Sequence, residues 1–204
     1  MALAAYALTT VQRVKDRLGI TSSGFDTLFE RLVNASTDFI ESYYTRRFKE
    51  TSYENELYLV ECEGSKMVTL KHAPVSALTN FQYRAGVPTN PAWTNFLPVE
   101  YEIVGDGSSG LIRVYGGVPR GTNNIRASYT AGYKIDFDHE TDATKHSLPF
   151  DLSNLCERLV IKEFKKRESI GKLRESAGEA MAIWFEKVEP EDQITLDRYC
   201  RVYL

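Results

Sequence analysis

The sequence predicts an α+β protein: mostly a helical bundle, with an inserted antiparallel β domain and an extended C-terminal tail. Apolar residues recur at helical spacing up to about residue 48 and again after residue 148. Between residues 49 and 133, short runs rich in Val, Ile, Tyr and Thr alternate in the manner of strands. Glycine- and proline-containing turns separate those runs, which is typical of antiparallel strands joined by hairpins.

Residues 1–48 are predicted to form a pair of helices. Thr9 and Gln12 have the spacing of a capping box, and Gly19 is suited to end the first helix. The second helix is predicted from a single apolar face, made by Phe25, Leu28, Phe29, Leu32, Ala35, Phe39, Ile40 and Tyr43.

Residues 49–133 are predicted to form the inserted antiparallel β unit. Residues 106–110, DGSSG, lie between two alternating runs and indicate a hairpin loop. The last run is NIRASYTAGY, in which we expect Ile125, Ala127, Tyr129 and Ala131 to point inward, because alternate residues of a strand share one face. Gly132 is where the strand should end.

Residues 134–189 are predicted to contain an acidic loop and the C-terminal helices that complete the bundle. Asp151 or Ser153 is the expected cap of the main helix, and the apolar residues between 181 and 188 suggest a further short helical segment before Pro190. Residues 190–204 are the predicted C-terminal interaction tail, charged at its start and apolar-aromatic at its end.

The composition indicates a soluble globular protein. Hydrophobic residues make up 43% of the 204 residues, and the formal net charge is only -3, which argues against a nucleic-acid binder of the strongly basic type. No apolar run approaches the length of a membrane-spanning helix. The three cysteines are isolated and odd in number, so they imply no disulfide framework, and folding in a reducing cytoplasm is expected.

A search for catalytic motifs finds little. His72 follows a strand-like run and is most simply an exposed turn histidine. The one metal candidate is the acidic loop, where carboxylates at alternate positions resemble the start of a calcium loop. Thr141 then stands where that loop needs glycine, so a solvated loop is the favoured interpretation. The candidate ligands are Asp136, Asp138, Glu140 and Asp142, with His139 and His146 nearby. We expect no catalytic residue, no bound metal and no cofactor.

One helix face carries a local positive charge. Its residues are Arg158, Lys162, Lys165, Lys166 and Arg167. A solvated helix face is the simpler interpretation, since cations are favourable near a helix C-terminus. The alternative is a surface that faces DNA when many copies share a channel.

Taken together, several motifs resemble the head–tail connector proteins of tailed bacteriophages, also called adaptor or head completion proteins. LTTVQRVKDRLGI followed by FDTLFERLVNASTDFIESYYTRRF resembles the family's opening helix pair. TLKHAPVSALTNFQ, SSGLIRVYGG and NIRASYTAGY resemble its strand and hairpin. LPFDLSNLCERLVIKEFKKRESIGKLRESAGE resembles its third helix with the segment that follows, and ITLDRYCRVYL resembles its closing segment.

The resemblance implies a structural virion protein without enzymatic activity. Family members form a ring, commonly of about twelve copies, beneath the portal protein in the virion neck, after synthesis in the host cytoplasm. The ring extends the channel for genomic DNA, without reading its sequence, and docks the next connector, a stopper or the tail. No membrane partner is implied. Carried over by position, the portal-contact residues are Ile194, Leu196, Tyr199, Arg201, Val202, Tyr203 and Leu204.

Three alternatives stay open at this stage. The tail could pack back on its own domain instead of reaching a portal. The protein could be another phage ring component, such as a stopper or a tail terminator. Least favoured is a small metal-dependent enzyme that uses the acidic loop.

Overall fold

A computed structural model describes residues 2–84, 92–167, 175–176, 182–183 and 190–199. The chain divides into two compact units. The helical unit comprises residues 2–46 and the described residues from 135 onward, and the β unit comprises the described part of residues 47–134. Helices and antiparallel sheets are both present, so the α+β fold class is confirmed. None of the helices in the described part of the chain combines the length and apolarity needed to cross a bilayer.

In its described residues, the helical unit contains four α-helices: α1 (Val11–Leu18), α2 (Asp26–Tyr44), α3 (Phe150–Lys166) and α4 (Pro190–Tyr199). Between α1 and α2 the chain turns at Gly19, whose positive φ of 68° ends the first helix as the sequence predicts. A short 3-10 turn over Phe137–His139 lies in the acidic loop. Glu175–Ser176 (β8) pairs with Ala182–Ile183 (β9) as a two-stranded ladder, and the helical segment expected between residues 181 and 188 lies largely outside the described residues.

The apolar faces of α1, α2 and α3 meet in a shared core. Phe29 is fully buried, and its ring lies 4.7 Å from that of Phe164. Val14 from α1 and Val33 from α2 pack in the same cluster as Val160 from α3. The core therefore joins the predicted N-terminal helix pair to the third helix, which lies more than 100 residues later in the chain.

Two of the predicted helix caps are wrong. The side chain of Thr10, not Thr9, caps α1 by accepting the Arg13 N–H at 3.3 Å. Thr9 is buried and donates its hydroxyl to Glu157 instead. Helix α3 begins at Phe150 after Pro149 without a side-chain cap, because the fixed φ of proline already suits the entry to a helix. The Asp151 carboxylate accepts the Leu152 N–H at 3.0 Å, and it also binds side chains of α4.

The predicted extended tail is partly helical. Residues Pro190–Tyr199 form α4, and the side chain of Leu196 is fully buried in the helical unit. Burial of this apolar side chain stabilises a short helix that would be marginal alone. The four residues after Cys200, which complete the predicted portal-contact set, lie outside the described residues.

The described part of the β unit contains seven strands in two sheets. The four-stranded sheet has the order β1-β7-β3-β4, and the three-stranded sheet has the order β2-β6-β5. The pairs within these two sheets are antiparallel, and the predicted hairpin joins β5 to β6 through a 3-10 turn at Gly105–Gly107. The strands are β1 (Thr51–Val60), β2 (Ser65–Thr69), β3 (Val75–Tyr83), β4 (Thr94–Asn95), β5 (Tyr101–Ile103), β6 (Leu111–Val118) and β7 (Gly121–Ala131).

The two sheets share one apolar core. Strand β7 lies in the middle of the larger sheet, between β1 and β3. Its alternate residues Ile125, Ala127, Tyr129 and Ala131 are buried, as the alternation of NIRASYTAGY predicts. Ile112 from β6 in the smaller sheet belongs to the same buried cluster. The unit is therefore a β-sandwich in which inward side chains of both sheets interdigitate.

The chain enters and leaves the β unit at adjacent positions. The Tyr133 N–H donates to the Phe48 carbonyl at 2.7 Å, and the Glu50 N–H donates to the Tyr133 carbonyl at 2.8 Å. Gly132 has φ 116°, and a Cβ there would lie 2.7 Å from the Lys49 carbonyl oxygen. Only glycine fits this crossing, since the backbone is in the left-handed half of conformational space and the neighbouring strand is too close.

Candidate interaction surfaces

Helix α4 packs on the start of α3 through Asp151. The two carboxylate oxygens accept different donors: Tyr199 Oη lies 2.6 Å from Oδ1, and Arg198 Nη1 lies 2.9 Å from Oδ2. Arg158 Nη2 lies 2.5 Å from Asp192 Oδ1, and Asp192 is buried. Such charge-assisted hydrogen bonds are stronger than neutral ones. They fix both ends of α4 to the same helix.

The end of α2 also contacts α4. Gln193 Nε2 donates to Tyr43 Oη at 2.8 Å, and Tyr44 Oη donates to the Thr195 carbonyl at 3.4 Å. Ile194 remains 64% exposed on the opposite face of the helix. Of the predicted portal-contact residues that the structure describes, Leu196 is therefore interior, Tyr199 is partly buried on Asp151, and Ile194 is exposed. The assignment of this set to a portal stays a prediction.

The basic face of α3 is largely occupied within the subunit. Arg158 pairs with Asp192, and Lys166 Nζ lies 3.2 Å from Glu163 Oε1. The Arg167 guanidinium stacks on two aromatic rings of the helical core, 3.9 Å from Phe164 and 4.7 Å from Phe25. Lys162 is half-buried. Lys165 is thus the exposed member of the predicted DNA-facing set, while the other four are half-buried.

The acidic loop is held by hydrogen bonds and ion pairs rather than arranged around a cation. Glu140 forms an ion pair with Arg13 of α1. His139 Nδ1 lies 2.9 Å from Asp136 Oδ2, and this hydrogen bond holds the pKa of the Asp136 carboxyl below its ordinary value. Asp142 accepts the backbone N–H and the hydroxyl of Thr144. Among the described residues, no three His, Cys, Asp or Glu side chains converge as metal ligands would.

A partly buried polar cluster in the β unit was not foreseen from the sequence. Glu56 Oε2 accepts the hydroxyls of Tyr129 at 2.6 Å and Tyr58 at 2.7 Å. His72 is not an exposed turn residue: its ring stacks on Tyr53 at 3.8 Å, and its Nε2 lies 3.5 Å from Glu56 Oε1. Burial raises the pKa values of both tyrosine hydroxyls, so they stay protonated as donors.

The outer face of the four-stranded sheet carries exposed apolar side chains beside two arginines. Leu57 and Leu59 alternate with the buried Tyr58 and Val60 along β1, so they project outward. Arg126 of β7 is the register partner of Leu57. We call Leu57, Leu59, Arg84, Trp93 and Arg126 the β1 patch.

Trp93 organises the two arginines of the β1 patch. The guanidinium of Arg126 lies 4.5 Å from the Trp93 ring centroid, and that of Arg84 lies 5.0 Å from it. Gln82, the β3 neighbour of Arg126, accepts hydrogen bonds from the Arg126 guanidinium. These contacts fix the arginines on a defined surface, where their remaining N–H groups can meet a carboxylate.

Comparison with known protein families identifies the chain. The model of the head completion protein family matches residues 7–191, which is most of the sequence. The chain belongs to the head completion protein family. This confirms the resemblance seen in the sequence, and it makes the protein a structural component of the head–tail connector.

Solved structures share the fold of this family member over its full length. A chain in the neck of an empty GTA particle matches with a TM-score of 0.56 at 17% identity, covering 100% of this chain and 96% of that chain. A chain in the neck of a native GTA particle, computed with C12 symmetry, matches with a TM-score of 0.56 at 18% identity. That match covers 100% of this chain and 96% of the other. A chain in the virion of a native gene transfer agent particle matches with a TM-score of 0.53 at 20% sequence identity. The match covers 100% of this chain and 94% of that chain. No curated protein matches.

Sequence reasoning missed the β1 patch and the Glu56 cluster for different reasons. The alternation in ELYLV places Leu57 and Leu59 on one face of β1, so the sequence does carry a signal for an exposed apolar edge. Glu56 is separated from Tyr129 by 73 residues. No local spacing indicates that contact, because it depends on the pairing of β1 with β7.

Proposed function

We propose that this head completion protein is the adaptor that assembles as a ring beneath the portal, extends the DNA channel and docks the next connector or the tail. The observation that carries the proposal is the family match over residues 7–191, supported by the full-length fold likeness to chains in GTA necks, one of which was computed with C12 symmetry. The ring is a homo-oligomer of about twelve copies, and closed cyclic symmetry is the usual arrangement for such assemblies.

The proposed portal contact is the end of the chain. In this proposal α4 is a fixed support for the contact, because Asp151 and Arg158 of α3 bind it and its Leu196 side chain is buried. The exposed side chain of Ile194 and residues 200–204 then make the contact. A fixed helix that presents a short segment lowers the entropy lost when that segment binds its partner.

A truncation tests this contact without removing the buried side chain. Deleting residues 200–204 keeps α4 intact, and we expect the truncated chain to fold but to lose binding to portal-bearing heads in a sedimentation assay. Circular dichroism checks the fold. The matched control is Leu196→Ala, which should lower the free energy of unfolding by about 2–5 kcal/mol while leaving residues 200–204 in place. Portal binding that survives the truncation would contradict the assignment.

The proposed DNA-facing surface is now narrower than the sequence suggested. Lys165 is exposed near the end of α3, whereas three other basic residues of that face have partners inside the subunit. A lysine in the channel would neutralise phosphate charge without reading bases.

Charge reversal tests the channel surface. Lys165→Glu should increase the loss of packaged DNA from completed particles, because it places a negative charge beside the phosphates. Lys145→Glu makes the same charge change at another exposed lysine of the helical unit and should leave DNA retention unchanged. Equal DNA retention in the two variants would exclude Lys165 from the channel.

A further inference from the structure

We propose that the β1 patch binds residues 97–100 of a second copy of this chain, so that neighbouring β units join head to tail. The inference deepens the proposed function, since it rests on the assembly of a ring and assigns one of the contacts that close it. The argument depends on three properties of the β unit: an apolar acceptor surface, a matching segment, and their positions in one sheet.

The acceptor surface has the composition of an interface centre. Leu59 is 57% exposed and Leu57 is 39% exposed, on the edge strand of the sheet. Exposed apolar edge strands are prone to contact other chains unless something covers them. Trp93 and Arg126 are of the residue types that contribute most to interface binding energy. A partner that buries the leucines would also cover Arg126, the register partner of Leu57 on β7.

The matching segment lies between β4 and β5. Val99 is 80% exposed and Leu97 is 58% exposed. The Leu97 N–H donates to Glu100 Oε2 at 2.7 Å, and the Glu100 N–H donates to the Leu97 carbonyl at 2.9 Å, so the segment is a closed turn. The Tyr115 N–H donates to the Glu100 carbonyl at 2.9 Å and fixes the turn to β6. Such a preformed turn loses little conformational entropy on binding.

Charge and apolar character favour this occupant over DNA. The segment offers two exposed apolar side chains and the Glu100 carboxylate, which match the leucines and the two arginines of the β1 patch. Arg84 and Arg126 give the β1 patch two positive charges. Glu61, which directly follows β1, is an exposed acidic residue next to it. A nucleic acid would pair with the arginines but would leave Leu57 and Leu59 without an apolar partner.

The sheet order places the two leucines of the β1 patch apart from residues 97–100, whereas Trp93 directly precedes β4. Leu57 and Leu59 are on β1 at one edge, and residues 97–100 follow β4, which is the opposite edge. One chain therefore cannot cover its own Leu57 and Leu59 with this segment as long as the sheet stays intact. A contact between two different surfaces is heterologous, and its repetition generates a ring when the rotation closes.

Disulfide cross-linking of the assembled protein tests the contact. In a full-length background with Cys62→Ser and Cys200→Ser, Leu59→Cys and Val99→Cys are combined and the protein is oxidised with copper–phenanthroline on portal-bearing heads. We expect a ladder of dimers and higher oligomers on a non-reducing gel. The matched control is Met67→Cys with Val99→Cys, because Met67 is exposed on the other sheet. That pair should give monomers.

A second variant and electron microscopy make the outcomes distinct. Leu59→Glu should reduce ring assembly at least tenfold while circular dichroism stays native, because it buries a charge opposite Glu100. Rings visible on the heads without a Leu59–Val99 ladder would overturn this inference and leave the proposed function standing. A ladder of equal strength from the Met67 control would overturn it too. The absence of any ring would refute the proposed function and this inference together.

Discussion

Glu157 in the helical unit and Glu56 in the β unit are both shielded from solvent, but different groups satisfy them. Glu157 accepts the Thr9 hydroxyl at 3.1 Å and Arg17 Nη1 at 3.1 Å, with Arg13 Nη1 at 3.8 Å. Glu56 accepts two neutral tyrosine hydroxyls. The carboxylate in the helical unit is therefore satisfied mainly by arginines on another helix, whereas the carboxylate in the β unit is satisfied mainly by tyrosine hydroxyls.

This difference between the two units explains which basic side chains stay available to bind another protein. In α3 and α4, the ion pairs of Arg158 and Arg198 are made inside the helical unit. In the β unit, Arg84 and Arg126 stack on Trp93 at the outer face. A run of basic residues in the sequence is thus a poor guide to a binding surface. The fold decides which of those side chains form ion pairs inside the subunit and which stay available to a partner.

The largest expected contrast concerns the two thiols. Cys62 is exposed in the β unit, and Cys156 is buried in the helical unit, where desolvation raises its pKa to about 12 from an ordinary value of 9.0. A rise of that size lowers the thiolate fraction about a thousandfold. In a Cys200→Ser background, labelling with a maleimide at pH ~8 should modify Cys62 rapidly and Cys156 at least about a thousandfold more slowly.

Denaturant provides the control for the labelling experiment. In concentrated guanidinium chloride the two thiols should react at similar rates, because the difference arises from folding alone. Cys156 labelling in native buffer at the rate of Cys62 would show that the centre of α3 is open to solvent, contrary to its packing against Thr37.

One substitution in each unit tests whether Glu157 and Glu56 depend on different hydrogen-bond donors for their contribution to stability. Glu157→Gln should lower the free energy of unfolding by about 2 kcal/mol, because it removes the charge-assisted hydrogen bond with Arg17 and the ion pair with Arg13. Glu56→Gln should cost under about 1 kcal/mol, since the amide oxygen can still accept both tyrosine hydroxyls. Urea denaturation measures both losses. Equal losses, or a larger loss for Glu56→Gln, would remove the distinction between the units.

The smallest expected effect is a change in how the stability of the protein depends on acidic pH, caused by Asp136 in the acidic loop. The hydrogen bond from His139 lowers the pKa of Asp136 below 3.8. A lowered folded-state pKa means that the stabilisation is present above the ordinary value and is lost as pH falls through the lowered one. Asp136→Asn should therefore flatten the pH dependence of unfolding below about pH 4, as followed by circular dichroism. His139→Gln should have the same effect, and the double variant no more. Additive effects would place the coupling elsewhere.

Local periodicity was sufficient for the elements whose residues pack through one regular face. The stripe from Phe25 to Ile40 predicts α2, and alternation predicts the inward residues of β7, because side-chain direction follows directly from backbone geometry. Caps were less predictable. Thr9 and Asp151 have the right chemistry for capping, yet tertiary partners bind both side chains: Thr9 contacts Glu157, and Asp151 contacts Tyr199.

The sequence by itself determined the α+β class, the order of the helix pair, the β unit and α3, the inward face of NIRASYTAGY and the family resemblance. Each of these depends on residues close together in the chain. Tertiary structure alone decided that α4 packs on α3, that Glu56 receives Tyr129, and that Arg126 stacks beneath Trp93. The partners in the first two contacts are separated by tens of residues, 48 for Tyr199 with Asp151 and 73 for Tyr129 with Glu56. Only the closure of those long loops brings such donors and acceptors together, and no local pattern encodes the distance.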